Sequence, residues 1–206
     1  MVMPTRELEQ TLWARGHDLV AGIDEVGRGP LAGPVTVAAV VLKRDSYLPD
    51  VRDSKRLSPK RRIWLAGNIR REAIAIGIGW ASHHEIDAIG LTAALRLAGR
   101  RALLELPPVS AVILDGKHNY LGDEWPVVTA VQADQHCMAV ASASIVAKVA
   151  RDNYMELLDG LHPEYGFARH KGYGAVAHMT QLERLGPCSY HRQTWGPVRT
   201  WAHAGS

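Results

Sequence analysis

The chain has 206 residues, 47% hydrophobic and 22% charged, with a formal charge of +3. This balance excludes a disordered or fibrous chain, leaves room for one well-buried domain, and admits a polyanionic partner without requiring one. The longest apolar stretch, Val35 to Leu42, is too short to cross a bilayer, and no long apolar core marks the N-terminus as a secretory signal. Cys137 and Cys188 have no paired spacing, which speaks against a disulfide framework or zinc ribbon and for a reducing cytoplasm.

In chain order, Leu19 to Glu25 is a short apolar run ending in two acids, followed by Gly27, Gly29, Pro30, Gly33 and Pro34 as a turn. Val35 to Leu42 reads as a buried strand able to form a hairpin with the first run. Ser58-Pro59 supplies an N-cap and a proline at the first helical position, and Ile63, Ala66, Ile69 and Ala73 follow at helical spacing. Ile74 to Ala81 reads as a third strand, with Gly77 and Gly79 marking close backbone approach. Ser82 and Glu85 match a capping box. A helical pattern from Leu91 to Leu106 stops at Pro107-Pro108. Val109 to Leu114 and Val127 to Val131 are two more strands, the second ending just before Asp134. A small-residue helix is expected from about Ala139 to Leu158 with Gly160 as C-cap, and a last one over Ala175 to Leu185 closed by Gly186. The pattern is that of a mixed α/β sheet flanked by helices.

Asp24, Glu25, Asp115 and Asp134 end apolar segments or stand beside them. A charge there is costly unless paired or bound to a cation, and a carboxylate cluster supplies hard oxygen ligands suited to Mg2+ or Mn2+. The bland alternative pairs Asp24 with an arginine and leaves Glu25 at the surface. Neighbours on a regular strand point to opposite faces, so the strand is expected to end or bend at these two acids. Gly27-Arg28-Gly29 lets a backbone approach a ligand while the arginine meets a phosphate, although a plain turn has the same composition. Arg169-His170-Lys171-Gly172-Tyr173-Gly174 combines cations, an aromatic ring and glycines, suited to gripping a nucleic-acid backbone or to plain exposure. Basic residues also gather in Lys55, Arg56, Lys60, Arg61, Arg62, Arg70 and Arg71, as a binding patch or a solvated helix face.

Taken together, the segment Asp24-Glu25-Val26-Gly27-Arg28-Gly29-Pro30-Leu31-Ala32-Gly33-Pro34 closely resembles the opening signature of the ribonuclease HII family. The resemblance continues through Asp53-Ser54-Lys55, Glu85-Ile86-Asp87, Asp115-Gly116, Ala143 to Val149, Arg151-Asp152, Tyr165-Gly166-Phe167, His170 to Tyr173 and His191-Arg192, closing at Pro197-Val198. It implies a ribonuclease H-like fold, a five-stranded mixed sheet with flanking helices. A single catalytic domain over 1–206 is expected, with its core at about 19–160 and a helical, substrate-contacting part at about 161–206. The implied enzyme is a divalent-metal-dependent endoribonuclease. It hydrolyses the phosphodiester 5′ of a ribonucleotide embedded in duplex DNA, or RNA in RNA–DNA hybrids, and leaves a 3′-hydroxyl and a 5′-phosphate. Such cleavage starts the removal of misincorporated ribonucleotides.

By the same resemblance Asp24, Glu25, Asp115 and Asp134 are the metal-binding and catalytic carboxylates. Gly27, Arg28 and Gly29 surround the ribose 2′-hydroxyl, and Tyr173 hydrogen-bonds it and packs on the neighbouring deoxyribose. Lys55, Lys148 and Lys171 are candidate phosphate contacts, Lys148 being equally suited to partner an acid. The departures are Gln132 and Ala133 before the fourth acid, Arg56 after Lys55, and Thr194-Trp195 near the end. The expected protein is a cytoplasmic monomer with a nucleic-acid partner and no membrane association. The histidines, His83-His84 included, are expected at the surface or in structural roles. A non-catalytic nucleic-acid-binding module would leave the four acids unexplained, and a small-molecule phosphatase would have little use for the basic loop.

Overall fold

Five strands form one mixed sheet in the order β3-β2-β1-β4-β5: β1 (Val20–Val26), β2 (Val35–Leu42), β3 (Ala73–Ala81), β4 (Ala111–Asp115) and β5 (Val127–Ala130). The computed structural model describes residues 3–52 and 54–202, the side chains of Arg56 and Ala202 apart. Asp53, which opens the Asp53-Ser54-Lys55 motif, and residues 203–206 of the tail lie outside the described residues. The first three strands are an antiparallel meander, so the expected hairpin of β1 and β2 is present, whereas β4 and β5 join β1 in parallel.

The helices are α1 (Glu7–Ala14), α2 (Pro59–Glu72), α3 (His83–Ile89), α4 (Leu91–Leu104), α5 (Ala133–His136), α6 (Met138–Leu161), α7 (Phe167–His170), α8 (Val176–Leu185) and α9 (Gly196–Ala202). Helix α2 starts as its sequence dictates: Ser58 turns its hydroxyl to the Arg61 N–H, with Pro59 in the first turn. Ser82 and Glu85 form the full capping box of α3.

Strand alternation divides the core in two. Val20, Ala38, Val40 and Ile113 face α6 and α2 on one side, and Ala21, Ile23, Val37, Ala39 and Leu114 face α4 on the other. Glycine permits the close contacts. A Cβ on Gly22 would overlap the α6 backbone at Ala139 and Val140, and one on Gly77 or Gly79 would overlap α4 carbonyls. On the α6 side the buried alanines 139, 141, 143 and 147 complete the fit. Each large aliphatic side chain sealed here contributes about 2 kcal/mol.

At 24 residues, α6 is about 36 Å long. Its first half lies on the sheet, and its second half carries Met155 and Leu158 into a satellite core with Ala32, Tyr165 and Phe167. A third apolar patch, of Leu31, Leu182 and Val198, packs α8 and α9 against the turn after β1.

Some expectations need correction. Strand β1 does not end at Glu25: both acids remain in register with β2, Asp24 opposite Ala38 and Glu25 opposite Val37. Gly160 is not a C-cap, because α6 runs through it to Leu161 and His162 takes the cap. The stop comes from Pro163, which bars the residue before it from helical geometry. Asp134 does not directly follow a strand end. It sits on α5, after Gln132 turns the chain through a left-handed conformation at φ 56°.

Candidate active site

The parallel register of β1 and β4 ends at Ile23 and Leu114, so the next residues, Asp24 and Asp115, are strand neighbours at a spacing of about 4.8 Å. Asp24 is 8% exposed, on the side of the sheet covered by α6. Its Oδ1 accepts the Glu25 N–H at 2.7 Å, and the Ser144 hydroxyl on α6 also hydrogen-bonds to it. Glu25 points to the other side. There it takes the Arg28 guanidinium at 2.8 Å and the Tyr120 hydroxyl at 3.1 Å. Asp115 accepts the Ala133 N–H at 2.7 Å. Asp134 is 2% exposed, with Lys55 Nζ 3.4 Å from Oδ2. Ala133, a departure from the family pattern, thus sits in regular helix and holds Asp115 through its N–H, while Gln132 takes the unusual φ.

The four carboxylates act on one another. Burial, and then the charges of Glu25 and Asp115, push Asp24 from an ordinary 3.8 up to about 8. Burial also raises Asp115, with Asp134 and Glu25 adding to it, while the Ala133 N–H and Lys55 oppose it. The Tyr120 phenol is pushed up by burial and by Glu25 and Asp24. Among the described residues, no group of three His, Cys, Asp or Glu side chains forms a ready-made metal cage. Glu25 is turned to Arg28 and Asp134 to Lys55. The donor set is all hard oxygen, and the carboxylates at Asp24 and Asp115 exceed their cationic partners. Both features fit a divalent cation of the Mg2+ or Mn2+ kind.

Next to the acids, two loops are held together by two buried arginines. Arg192 is 0% exposed and donates to the carbonyls of Gly27 at 2.6 Å, Arg28 at 3.0 Å and Gly33 at 3.1 Å. Arg151, also 0% exposed, donates to Pro34 at 2.9 Å, Ala32 at 3.1 Å and Lys171 at 2.9 Å. Burial lowers Arg151 to about 10 and Arg192 to about 9. Leu31 N–H adds a bond to the Gly172 carbonyl at 2.7 Å. Gly27 is required by its φ of +93°, and a Cβ there would overlap the Arg151 side chain. Gly29 faces Tyr173, whose Cε1 lies 3.7 Å from where a Gly29 Cβ would be. The Gly27-Arg28-Gly29 segment and Tyr173, 41% exposed, therefore share one wall.

The three lysines have different neighbours. Lys55 reaches Asp134. Lys148 pairs with Asp152 at 2.5 Å, where Arg62 is 3.5 Å from the other oxygen, so its acid partner is outside the cluster of four. Lys171 bonds Glu156 at 2.7 Å. The basic run of α2 is not a uniform solvated face: Arg62 is turned in to the carbonyls of Ser54 and Leu57, and Arg61 pairs with Asp50 and lies over Trp64.

Sequence reasoning gave no role to Arg151, Arg192, Ser144, Tyr120, His178 or His191. The two arginines and His191 lie in recognised motifs, but their partners are distant in sequence. His178 and His191 are fully buried, and His83 is 5% exposed, so of the two expectations for the histidines these three follow the structural one, not the surface one.

A mixed sheet in the order 3-2-1-4-5, with acids on the central strand β1 and its neighbour β4, is that of the ribonuclease H-like fold. The chain belongs to the ribonuclease HII family, whose profile matches residues 21–198. Ribonuclease HII of Streptomyces avermitilis is 47% identical over 205 residues, 97% of this chain and 88% of that one. The crystal structure of ribonuclease H2 from Pyrococcus horikoshii OT3 superposes with a TM-score of 0.75 at 24% identity, over 91% of this chain and 98% of that one. Bst-RNase HIII in complex with Mn2+ superposes with a TM-score of 0.69 at 20% identity, over 90% of this chain and 70% of that one. The protein is a metal-dependent endoribonuclease of the type 2 ribonuclease H class. No helix among the described residues is long and apolar enough to cross a membrane.

Proposed function

We propose that this enzyme cuts the phosphodiester 5′ of a ribonucleotide embedded in duplex DNA, and also RNA in RNA–DNA hybrids, leaving a 3′-hydroxyl and a 5′-phosphate. The observation that carries this reading is the shared wall of Gly29 and Tyr173 beside the acid cluster. An enzyme cutting at a single ribonucleotide must sense one 2′-hydroxyl near the scissile bond. Main-chain groups of 27–29 and the Tyr173 hydroxyl are suited to that, since a site built to hydrogen-bond a hydroxyl rejects the substrate lacking it.

Asp24, Glu25, Asp115 and Asp134 would hold Mg2+ or Mn2+; the Mn2+ complex of Bst-RNase HIII is a parallel. When bound, such ions supply Lewis acidity to the attacking water and to the phosphodiester. The chain's own groups orient that chemistry. The Ser144 hydroxyl and the Glu25 N–H hold Asp24, and the Ala133 N–H holds Asp115. Arg28 and Lys55 balance charge at Glu25 and Asp134, and with Lys148 and Lys171, each paired with an acid outside the cluster, they are the candidate phosphate contacts. The segment 161–206 contributes the substrate-contacting part of one catalytic domain. The protein acts as a monomer in the cytoplasm, a compartment that suits its free cysteines.

The test is a gel assay on a labelled duplex with one ribonucleotide, beside an all-DNA duplex, a long hybrid and the Asp24→Asn variant. One cut on the 5′ side, lost with EDTA and in the variant, is expected. Cutting of the hybrid alone would remove the junction-reading role of 27–29 and Tyr173.

A further inference from the structure

Behind Tyr173 stand two histidines with no part in the chemistry above. His178, on α8, and His191, in the segment before α9, are each 0% exposed, and their Nε2 atoms are 3.0 Å apart. A contact that short requires one ring to donate and the other to accept, so the protons on both can be assigned from their outer neighbours. His191 Nδ1 receives the Cys188 N–H at 3.0 Å, closer than the Cys188 carbonyl at 3.3 Å, and the Cys188 thiol is at 3.2 Å. A backbone N–H can only donate, so Nδ1 of His191 is bare and its Nε2 carries the proton. That proton points at His178 Nε2, which accepts. The His178 proton is then on Nδ1, which lies 2.9 Å from the Tyr173 carbonyl.

The chain of bonds runs one way, from Cys188 N–H through both imidazoles to the main chain of Tyr173. We infer that His178, its tautomer fixed by His191, is a positioning residue that sets Tyr173 for recognition of the ribonucleotide. The inference rests on the reading of Tyr173 as the residue that contacts the ribose.

The rest of the loop agrees. The His170 ring stacks on His178 with centroids 4.3 Å apart and an interplanar angle of 12°. It donates through Nε2 to the Tyr165 carbonyl at 2.8 Å and accepts the Gly172 N–H at 3.2 Å through Nδ1. Of the two residues before Tyr173, Gly172 takes its φ of 83° at no cost, but Lys171 is left-handed at φ 52°, a conformation a side-chain-bearing residue rarely adopts unless its surroundings hold it there. Burial keeps the pair neutral, lowering His178 to about 4 and His191 to about 3. A proton added to either ring would set two donors face to face.

The experiment measures kcat/KM on a duplex with one ribonucleotide and on a long RNA–DNA hybrid, and reads their ratio. It compares the wild type with Tyr173→Phe, His178→Phe, His178→Asn and the double variant of the two Phe substitutions. The ratio is expected to fall about 10-fold for Tyr173→Phe and about 5-fold for His178→Phe, with a further change of less than about 2-fold when the second is added to the first. His178→Asn, whose amide N–H can take the place of Nδ1, is expected to keep the ratio within about 2-fold of wild type. Effects of Tyr173→Phe and His178→Phe that multiply, or a His178→Phe variant slower on both substrates with its ratio unchanged, overturn the inference. An unchanged ratio in Tyr173→Phe overturns the reading of Tyr173 itself and takes the inference with it. Should His178→Phe not fold, 15N imidazole spectra of the wild type at pH 7 decide. The Nδ1–H form of His178 and the Nε2–H form of His191 support the chain of bonds, and the opposite tautomers or a charged ring refute it.

Discussion

Replacing Asp24 by Asn should stabilise the metal-free protein while removing its activity. A carboxyl whose folded-state pKa is raised holds its proton more tightly in the folded chain than in the unfolded one. The resulting penalty on folding is absent below about pH 4, grows as pH rises, and is complete above the folded value of about 8. With an ordinary value of 3.8, the penalty at pH 7 is on the order of 4 kcal/mol, since each pKa unit is worth about 1.4 kcal/mol. Asparagine removes the charge but brings an amide that needs its own partners, so about half of that is expected to be recovered. For a chain of this size that is a rise in Tm of roughly 4–8 °C in EDTA at pH 7, somewhat larger at pH 8 and shrinking by more than half at pH 5. Added Mn2+ should reverse the order, stabilising wild type more than the variant, because the cation binds where the charge was. A variant that melts at or below wild type in EDTA, or gains as much at pH 5 as at pH 8, would refute the argument.

Other outcomes follow from the same geometry. Gly27→Ala should lower stability by about 3 kcal/mol in urea unfolding, since it combines a disfavoured backbone with a clash against Arg151, whereas Gly29→Ala should stay within about 1 kcal/mol of wild type. A lower kcat/KM on the single-ribonucleotide duplex in the folded Gly29→Ala protein would then report the substrate wall directly. Arg192→Ala strips three carbonyls of a charged donor and leaves a cavity, so a loss of about 4 kcal/mol is expected, with Arg192→Lys recovering only part. Calorimetry with Mn2+ should show binding to wild type that weakens at least about 10-fold in Asp115→Asn, and equal affinity would remove Asp115 from the metal set.

The sheet was legible because its signals are local. The eight residues of β2 are all buried and all apolar or threonine, and the caps of α2 and α3 are written within four residues. The short helices α1, α7 and α9 were not legible, because none carries a long amphipathic pattern, and α9 begins at Gly-Pro. At the site, the motifs named the acids and the loops proposed to contact the ribose but not what holds them. Arg192 meets carbonyls 159 to 165 residues away, and Arg151 meets three separated from it by 20, 117 and 119. No periodicity encodes such pairs. The faces of Asp24 and Glu25 were misjudged for a simpler reason. Two adjacent acids suggested a strand that breaks, whereas the strand continues and sends one acid to each side.

Helix α6 sets a distance. Ser144, which touches Asp24, and Arg151, which ties Pro34, Ala32 and Lys171 together, are seven residues apart on one uninterrupted helix. Two helical turns separate them by about 10 Å and return both to the same face. The offset between the acid cluster and the loops beside it is therefore measured by helix pitch rather than by loop length. Insertions in the surface connections can leave that ruler untouched. A single residue added between Ser144 and Arg151 would turn one end by about 100° against the other and put the two halves of the site out of step.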